Sequence, residues 1–555
     1  MASTLLPWLW DGGYTAWPMA LGVILVAATA LYALMAPKSG VPSISGTIPR
    51  LSVTLMYMTD MRQFLSKAKK ALHERHVVQF YLGPMKAYII DGASNIQTMF
   101  RASNNVSSDI FFLMVQQHIW NATKEDLAKF ANDKSGRQKV TFLEPDPSKK
   151  NPGAPQKRYW AGMHETVHRY LARADETNTL ARSFQRFFNQ DLSRFPLGKA
   201  TPVRVYDFLL NDMAQAAITA INGQRILELN PNLLKLLWDF DLIASSLVWG
   251  LPKFLNPASW RKRDELLAAT RRYLESALPE LDKVKSVDAD WDPVFGSRYA
   301  REFIRWMRDD GFAMQTMAGA VTNLTVFGSN ANSIPVTTWC LMEVAKDESL
   351  LKAIREEVDT AWETDPVTGE KSINAQTLVG LPLLQAVYIE GLRLHVSMNV
   401  TRQVTGSMEV GGVKLEKGAV LQAATEIVHY DEEIWSAQGH SASEFWPERH
   451  IQYVDEVGGD GKKKRARKFV MAGGPADFFP YGGGASICPG RFFAKQEIML
   501  TVALVVSRFD IEFVGWVNKE DGSPSDRPAE NDVRWSGGAS VPPDRDMQVL
   551  FKRLW

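Results

Sequence analysis

The chain has 555 residues, 45% of them hydrophobic and 23% charged, so it can bury a large core and general disorder is excluded. Lys and Arg number 63 against 62 Asp and Glu, and the resulting net charge of +1 excludes a field that would hold nucleic acid nonspecifically. Two cysteines, Cys340 and Cys488, exclude a disulfide framework and leave too few thiols for a Cys-rich zinc module.

Residues 17–36 carry no charge and match the ~20 residues that span a bilayer as a helix. The alternative, a cleaved signal peptide, would need a basic start, whereas the charge upstream is Asp11. Lys38 and Arg50 follow the run, so the positive-inside bias predicts a non-cytoplasmic segment 1–16, an anchor 17–36, a linker 37–50 holding Pro37, Pro42 and Pro49, and a cytoplasmic remainder. Alternating apolar residues over 76–90, broken at Gly83 and Pro84, predict a β-hairpin. Residues 132–157, rich in Lys, Pro, Gly and Asp, predict a surface loop. Most of 160–363 has helical spacing, with breaks near Pro252 and Pro257 and from Asp288 to Pro293. A turn at 364–369, a helix near 380–395, short β-like runs over 408–422 and a helix over 490–507 follow. The fold class is mainly α with a small β region, and 51–555 reads as one large domain.

Cys488 follows three consecutive glycines, Gly482 to Gly484, which let the main chain approach a flat ligand closely. Pro489 suits the first turn of a helix that continues through Phe493, Ile498, Val502 and Val505, so the thiol lies at a helix N-terminus, where unpaired N–H groups favour the thiolate. The plainer reading is a buried free cysteine, and for Cys340, among apolar neighbours, core packing is the better one. Glu390 and Arg393 stand at a spacing that allows pairing on one helix face, but Glu302 and Arg305 show the same pattern. Pro335 predicts a kinked helix over 322–344 in which the carbonyl of Ala331 is freed. KKKRARK over 462–468 reads as a solvated loop, with docking of an acidic electron donor or anionic lipid as the alternative.

The string from Tyr481 through Gly484 to Cys488 and Gly490 resembles the haem-binding loop of the cytochrome P450 family. The resemblance implies that fold, preceded here by one transmembrane helix, with haem b as cofactor and Cys488 as the axial ligand of its iron. It makes 51–555 the haem-thiolate catalytic domain. Two residues before the cysteine the family usually carries Arg or His toward a propionate, and this chain has Ser486. Glu390, Arg393 and Arg449 match the family's structural charge cluster, while Arg402, and Trp160 with His164, match positions that reach propionates. In the distal helix Ala331 and Asn332 stand where an acid and a threonine usually deliver protons, so Asn332, Ser333 and the Ala331 carbonyl would have to organise water instead; Asn332 as a mere cap is the alternative. The string from Ala331 to Pro335 is similar to sterol 7α- and 12α-hydroxylases and prostacyclin synthase. The implied activity is monooxygenation of a small lipophilic substrate, sterol-like or terpenoid, at the endoplasmic reticulum membrane, in contact with lipid. Electrons would come from NADPH through a cytochrome P450 reductase. Two alternatives remain: a haem-thiolate isomerase or dehydratase acting on a peroxide substrate, and a membrane-tethered binding protein in which Cys488 is only a buried thiol.

Overall fold

Residues 77–90 form the expected hairpin: β1 (Val77–Leu82) pairs antiparallel with β2 (Met85–Ile90) around Gly83, whose φ of 58° lies in the left-handed region. The computed structural model describes residues 40–555 except 45, 49, 134–141, 144–155, 251, 285–288, 368 and 458–462. β3 (Val106–Ser107), β4 (Asn399–Val404) and β5 (Val420–Ala424) complete a five-stranded sheet in the order β1-β2-β5-β4-β3. β5 runs parallel to β2 and the other neighbours are antiparallel. Both faces of β1, β2 and β5 are covered, which is why their side chains are almost all buried instead of alternating. A second sheet joins Ala200–Arg204, Phe509–Val517 and, between them, Asp546–Arg553.

The rest is largely helical, as the spacing predicts. The helices that position the site are α1 (Asp109–His118), α2 (Tyr159–Leu171), α3 (Ala174–Leu192), α4 (Met314–Val321), α5 (Ser333–Lys346), α6 (Pro382–His395) and α7 (Arg491–Arg508). α7 is apolar on nearly every side from Ile498 to Val506 and lies at the centre, packed against α3, α5 and α6. Its Ile498, Met499, Leu500, Val502, Leu504, Val505 and Val506 are each at most 1% exposed, a gross burial of roughly 10–20 kcal/mol that chain entropy largely offsets. The helix therefore forms a fixed floor behind Cys488.

Two expectations change and two fall outside what the structure describes. The anchor expected at 17–36 lies outside the described residues, as does most of 132–157; among the described residues no helix is long and apolar enough to cross a membrane. The basic run is not a loop: Lys463–Phe469 is a strand paired with Ile451–Val457, while Lys462 is not described. Asp455 sits opposite Arg465, which also covers the Tyr453 ring at 4.4 Å, so cross-strand contacts hold an extended form that charge composition hides. Pro335 does not kink a continuous helix. α4 passes through a π-helical stretch, Thr322–Phe327, and a short turn, Gly328–Asn330, and the helix then stops and restarts at Ser333. Pro335 thus occupies the first turn of α5, where a missing N–H costs no intrahelical bond.

Candidate functional site

The loop before α7 is shaped by glycine for two different reasons. Gly484 has φ 65°, and a Cβ there would lie 2.3 Å from the carbonyl oxygen of Phe100; a Cβ on Gly483 would lie 2.4 Å from the Phe100 ring. The close approach seen here is therefore to Phe100, on the helix Ala93–Arg101, which the glycine run did not disclose. The Cys488 N–H donates to the carbonyl of Tyr481 at 3.0 Å and closes the loop. Pro489 precedes the N-cap residue Gly490 and lies just outside the helix it was expected to begin. A Cβ on Gly490 would come 3.8 Å from Sγ of Cys488, an ordinary contact, so space at the sulfur does not by itself require glycine there.

The N–H groups of Gly490 and Arg491 and the charge of Arg491 lower the Cys488 thiol, yet burial outweighs them and leaves it above its ordinary value. Cys488 nevertheless has accessible surface. Both hold for a residue that keeps surface of its own while protein atoms crowd around its side chain. Arg402, buried on β4, donates to the carbonyl of Gly483 at 3.0 Å and to that of Thr401 at 2.9 Å, so it braces the glycine backbone from the sheet. Ser486 shares a 2.9 Å hydrogen bond with Ser108, which immediately precedes α1.

Glu390 and Arg393 meet as the spacing predicts, at 2.6 and 2.8 Å, with both side chains fully buried. Arg449 approaches Glu390 at 3.5 Å, and His450, which the sequence reading missed, at 3.1 Å. Burial alone would raise the Glu390 carboxyl, but hydrogen bonds from Arg393 and His450, with their charges, hold it down at about 2. Arg393 also donates to the carbonyls of His429, Ala442 and Glu444. The partners of these groups are all protein atoms, so the cluster joins α6 to the segments that carry His429, Ala442 and Glu444. Glu302 and Arg305, with the same spacing, pair at 3.3 Å at the edge of solvent.

On the broken helix Ala331 and Ser333 are buried, while Asn332 between them is accessible and makes no side-chain capping bond. The cap reading of Asn332 is therefore corrected: its amide projects from the break. Ser333 donates to the carbonyl of Ser329. Trp160 is buried on α2, its indole N–H donating to the carbonyl of Phe130 at 2.9 Å, among the rings of Phe112 and Phe130. That one hydrogen is engaged within the protein. His164, half-buried one turn further on, stacks on His168 at 5.4 Å. The segment after α6 is joined to residues near the C-terminus: the Ser397 N–H bonds the carbonyl of Ala539, and the Gly537 N–H bonds Oγ of Ser397. Phe111 to Val115 on α1 are half-buried throughout.

Two features were missed besides His450. The phenols of Tyr388 and Tyr481 bond each other at 2.7 Å, and Glu497 is buried within α7. A carboxyl just before the apolar run 498–506 was the available signal for the latter.

A family model described as cytochrome P450 matches residues 247–526. The cytochrome P450 monooxygenase calL of Penicillium decumbens is 45% identical over 515 residues, 93% of each chain. A cholesterol 7-alpha-monooxygenase of Cricetulus griseus is 28% identical over 333 residues, 56% of this chain and 60% of its own. In structure, a retinoic acid-bound cyanobacterial CYP120A1 superposes with a TM-score of 0.61 at 17% identity, covering 93% of this chain and all of the other, which establishes likeness of fold.

Proposed function

The chain belongs to the cytochrome P450 family and is a monooxygenase, and on that premise we propose that it oxidises a lipophilic, sterol-like or terpenoid substrate at a haem held by Cys488. The residues fit that group. Cys488 offers one soft sulfur beside a glycine backbone, which suits a metal whose other ligands come from a macrocycle. The N–H groups of Gly490 and Arg491 draw that sulfur toward the thiolate but do not overcome the burial that favours the thiol, so a bound iron would have to complete the deprotonation. This arrangement of sulfur and N–H groups carries the proposal.

Bound there, haem supplies activation of dioxygen, with electrons from NADPH delivered by a cytochrome P450 reductase. Arg402 fixes the backbone beside the sulfur, and the Glu390, Arg393 and Arg449 cluster fixes α6 behind it. The accessible amide of Asn332, with the Ala331 carbonyl, would hold the water that passes protons into the distal pocket, since residues 330–335 themselves carry no acid. A sterol-like substrate is favoured by the likeness to a cholesterol 7-alpha-monooxygenase, and the monooxygenase names of both relatives favour oxygen insertion over peroxide isomerisation. A span at 17–36 would hold the pocket mouth near endoplasmic reticulum lipid, with the catalytic domain cytoplasmic.

The test is the reduced, carbon monoxide-treated protein. It should give the red-shifted Soret band of thiolate-ligated haem; Cys488→Ala should abolish it and Cys340→Ala should leave it. Retention of the band in Cys488→Ala would overturn the assignment. Metabolites compared between strains with and without the gene then identify the substrate, and turnover without NADPH and reductase would refute monooxygenation.

A further inference from the structure

The arc from Tyr481 to Cys488 runs through three glycines, whose backbone holds no direction of its own. Its two ends are nevertheless joined, because the Cys488 N–H donates to the carbonyl of Tyr481 at 3.0 Å. The place of Tyr481 therefore sets how the peptide of Cys488 is held. Its side chain is fixed in turn: the Tyr481 hydroxyl shares a 2.7 Å hydrogen bond with that of Tyr388 on α6, 93 positions earlier. Tyr388 is 4% exposed, and burial above all raises both phenols, so each keeps its proton and can serve the bond.

Packing accounts for the two rings but not for their oxygens. A phenylalanine at either position would fill the same space, whereas a hydroxyl there without its partner would be a polar group left unpaired. Two hydroxyls on separate elements, facing each other at 2.7 Å, make a directional link that ring packing alone does not supply. One end of the link stands on an anchored helix: Glu390, two residues after Tyr388, is bonded to Arg393 and His450, and all three side chains are fully buried. The other end stands on the residue whose carbonyl holds the Cys488 N–H. We infer that Tyr388 is a positioning residue for the haem sulfur, which through Tyr481 carries the fixed place of α6 into the peptide of Cys488. Without the link the arc loosens, and water and N–H groups reach the sulfur more often. Such contacts favour the added negative charge of the reduced state, so the potential rises. This electronic consequence rests on the haem-thiolate reading of the site; the phenol link does not.

The experiment uses the full-length, haem-loaded protein with Tyr388→Phe, Tyr481→Phe and the double variant. In a redox titration each single variant should favour the reduced state by about threefold in the one-electron equilibrium, which is about 30 mV upward. The double variant should shift by the same amount and not by the sum, because one link is absent in all three. Thermal unfolding separates this from a merely structural role. Each single variant leaves a hydroxyl without its partner and should melt below the double variant, which leaves none, while the potential of the double variant should stay shifted. Infrared difference spectra should show the phenol C–O band of the surviving tyrosine moved in each single variant, a readout independent of turnover. An unmoved phenol band, an unchanged potential in Tyr388→Phe, additive shifts, or a potential that recovers with stability in the double variant would overturn the inference. Should Tyr388→Phe fail to fold, Tyr481→Phe and the double variant decide: equal upward shifts uphold the link and unequal ones overturn it. An intact red-shifted Soret band with an unmoved potential refutes this inference only, whereas a missing Soret band in the wild type refutes the reading of the site.

Discussion

Glu390→Gln and Glu302→Gln apply the same change to the same spacing in different surroundings. At Glu390 the variant removes the carboxylate from a site where it, Arg393 and Arg449 have fully buried side chains. Two guanidinium groups then lack their counter-charge, and breaking such a pair from one side costs about 3–5 kcal/mol. Unfolding entropy of about 2.1 cal/mol/K per residue, taken over the 555 residues, makes that a fall in Tm of about 3–4 °C. At Glu302 the carboxylate and its nearer partner Arg305 remain in contact with water, with buried Arg301 further off at 3.6 Å, and such an exposed pair is worth about 0–1 kcal/mol, under about 1 °C. Circular dichroism melts of the haem-loaded proteins at one fixed scan rate measure both. Equal shifts, or a Glu390→Gln shift below about 1 °C, would refute the argument that burial and not spacing gives the pair its weight.

Gly391→Ala should destabilise by about 1–3 kcal/mol, because its Cβ would lie 2.5 Å from Sγ of Cys340. Chemical denaturation should find most of that loss restored in Gly391→Ala with Cys340→Ala, and simple additivity would refute the steric cause. Acid unfolding supplies the pH test. The folded Glu390 carboxyl sits at about 2 against an ordinary 4.5, so its contribution to stability is complete above pH 4.5 and is lost as pH falls through 2. Stability measured between pH 4.5 and 2 should fall less steeply for Glu390→Gln than for the wild type; equal slopes would count against it.

Local pattern carried much of the architecture. The hairpin at 77–90, the helix behind Cys488 and the Glu390–Arg393 pair each depend on neighbours a few residues apart, which spacing records directly. What failed to show depends on contacts distant in the chain. The Gly483 and Gly484 requirement comes from Phe100, more than three hundred residues earlier. The Trp160 hydrogen is claimed by a carbonyl on another helix, and His450 reaches Glu390 from 60 positions away. The π-helical stretch over Thr322–Phe327 left one local trace, two threonines whose hydroxyls bond carbonyls four residues earlier. The extended form of 463–469 was hidden because seven residues dominated by like charge read as solvated until paired with Asp455 and Tyr453.

The hydroxyl pair of Ser108 and Ser486 gives the sulfur loop a light mooring. It joins a residue two before Cys488 to the start of a half-buried helix at a distance of 2.9 Å, and either oxygen can donate. Such a neutral link is worth about 1 kcal/mol and is indifferent to ionic strength and to pH in the physiological range, unlike a cation held against an anion. Breaking this bond would strip water from no ion, and the change would fall two residues from the sulfur.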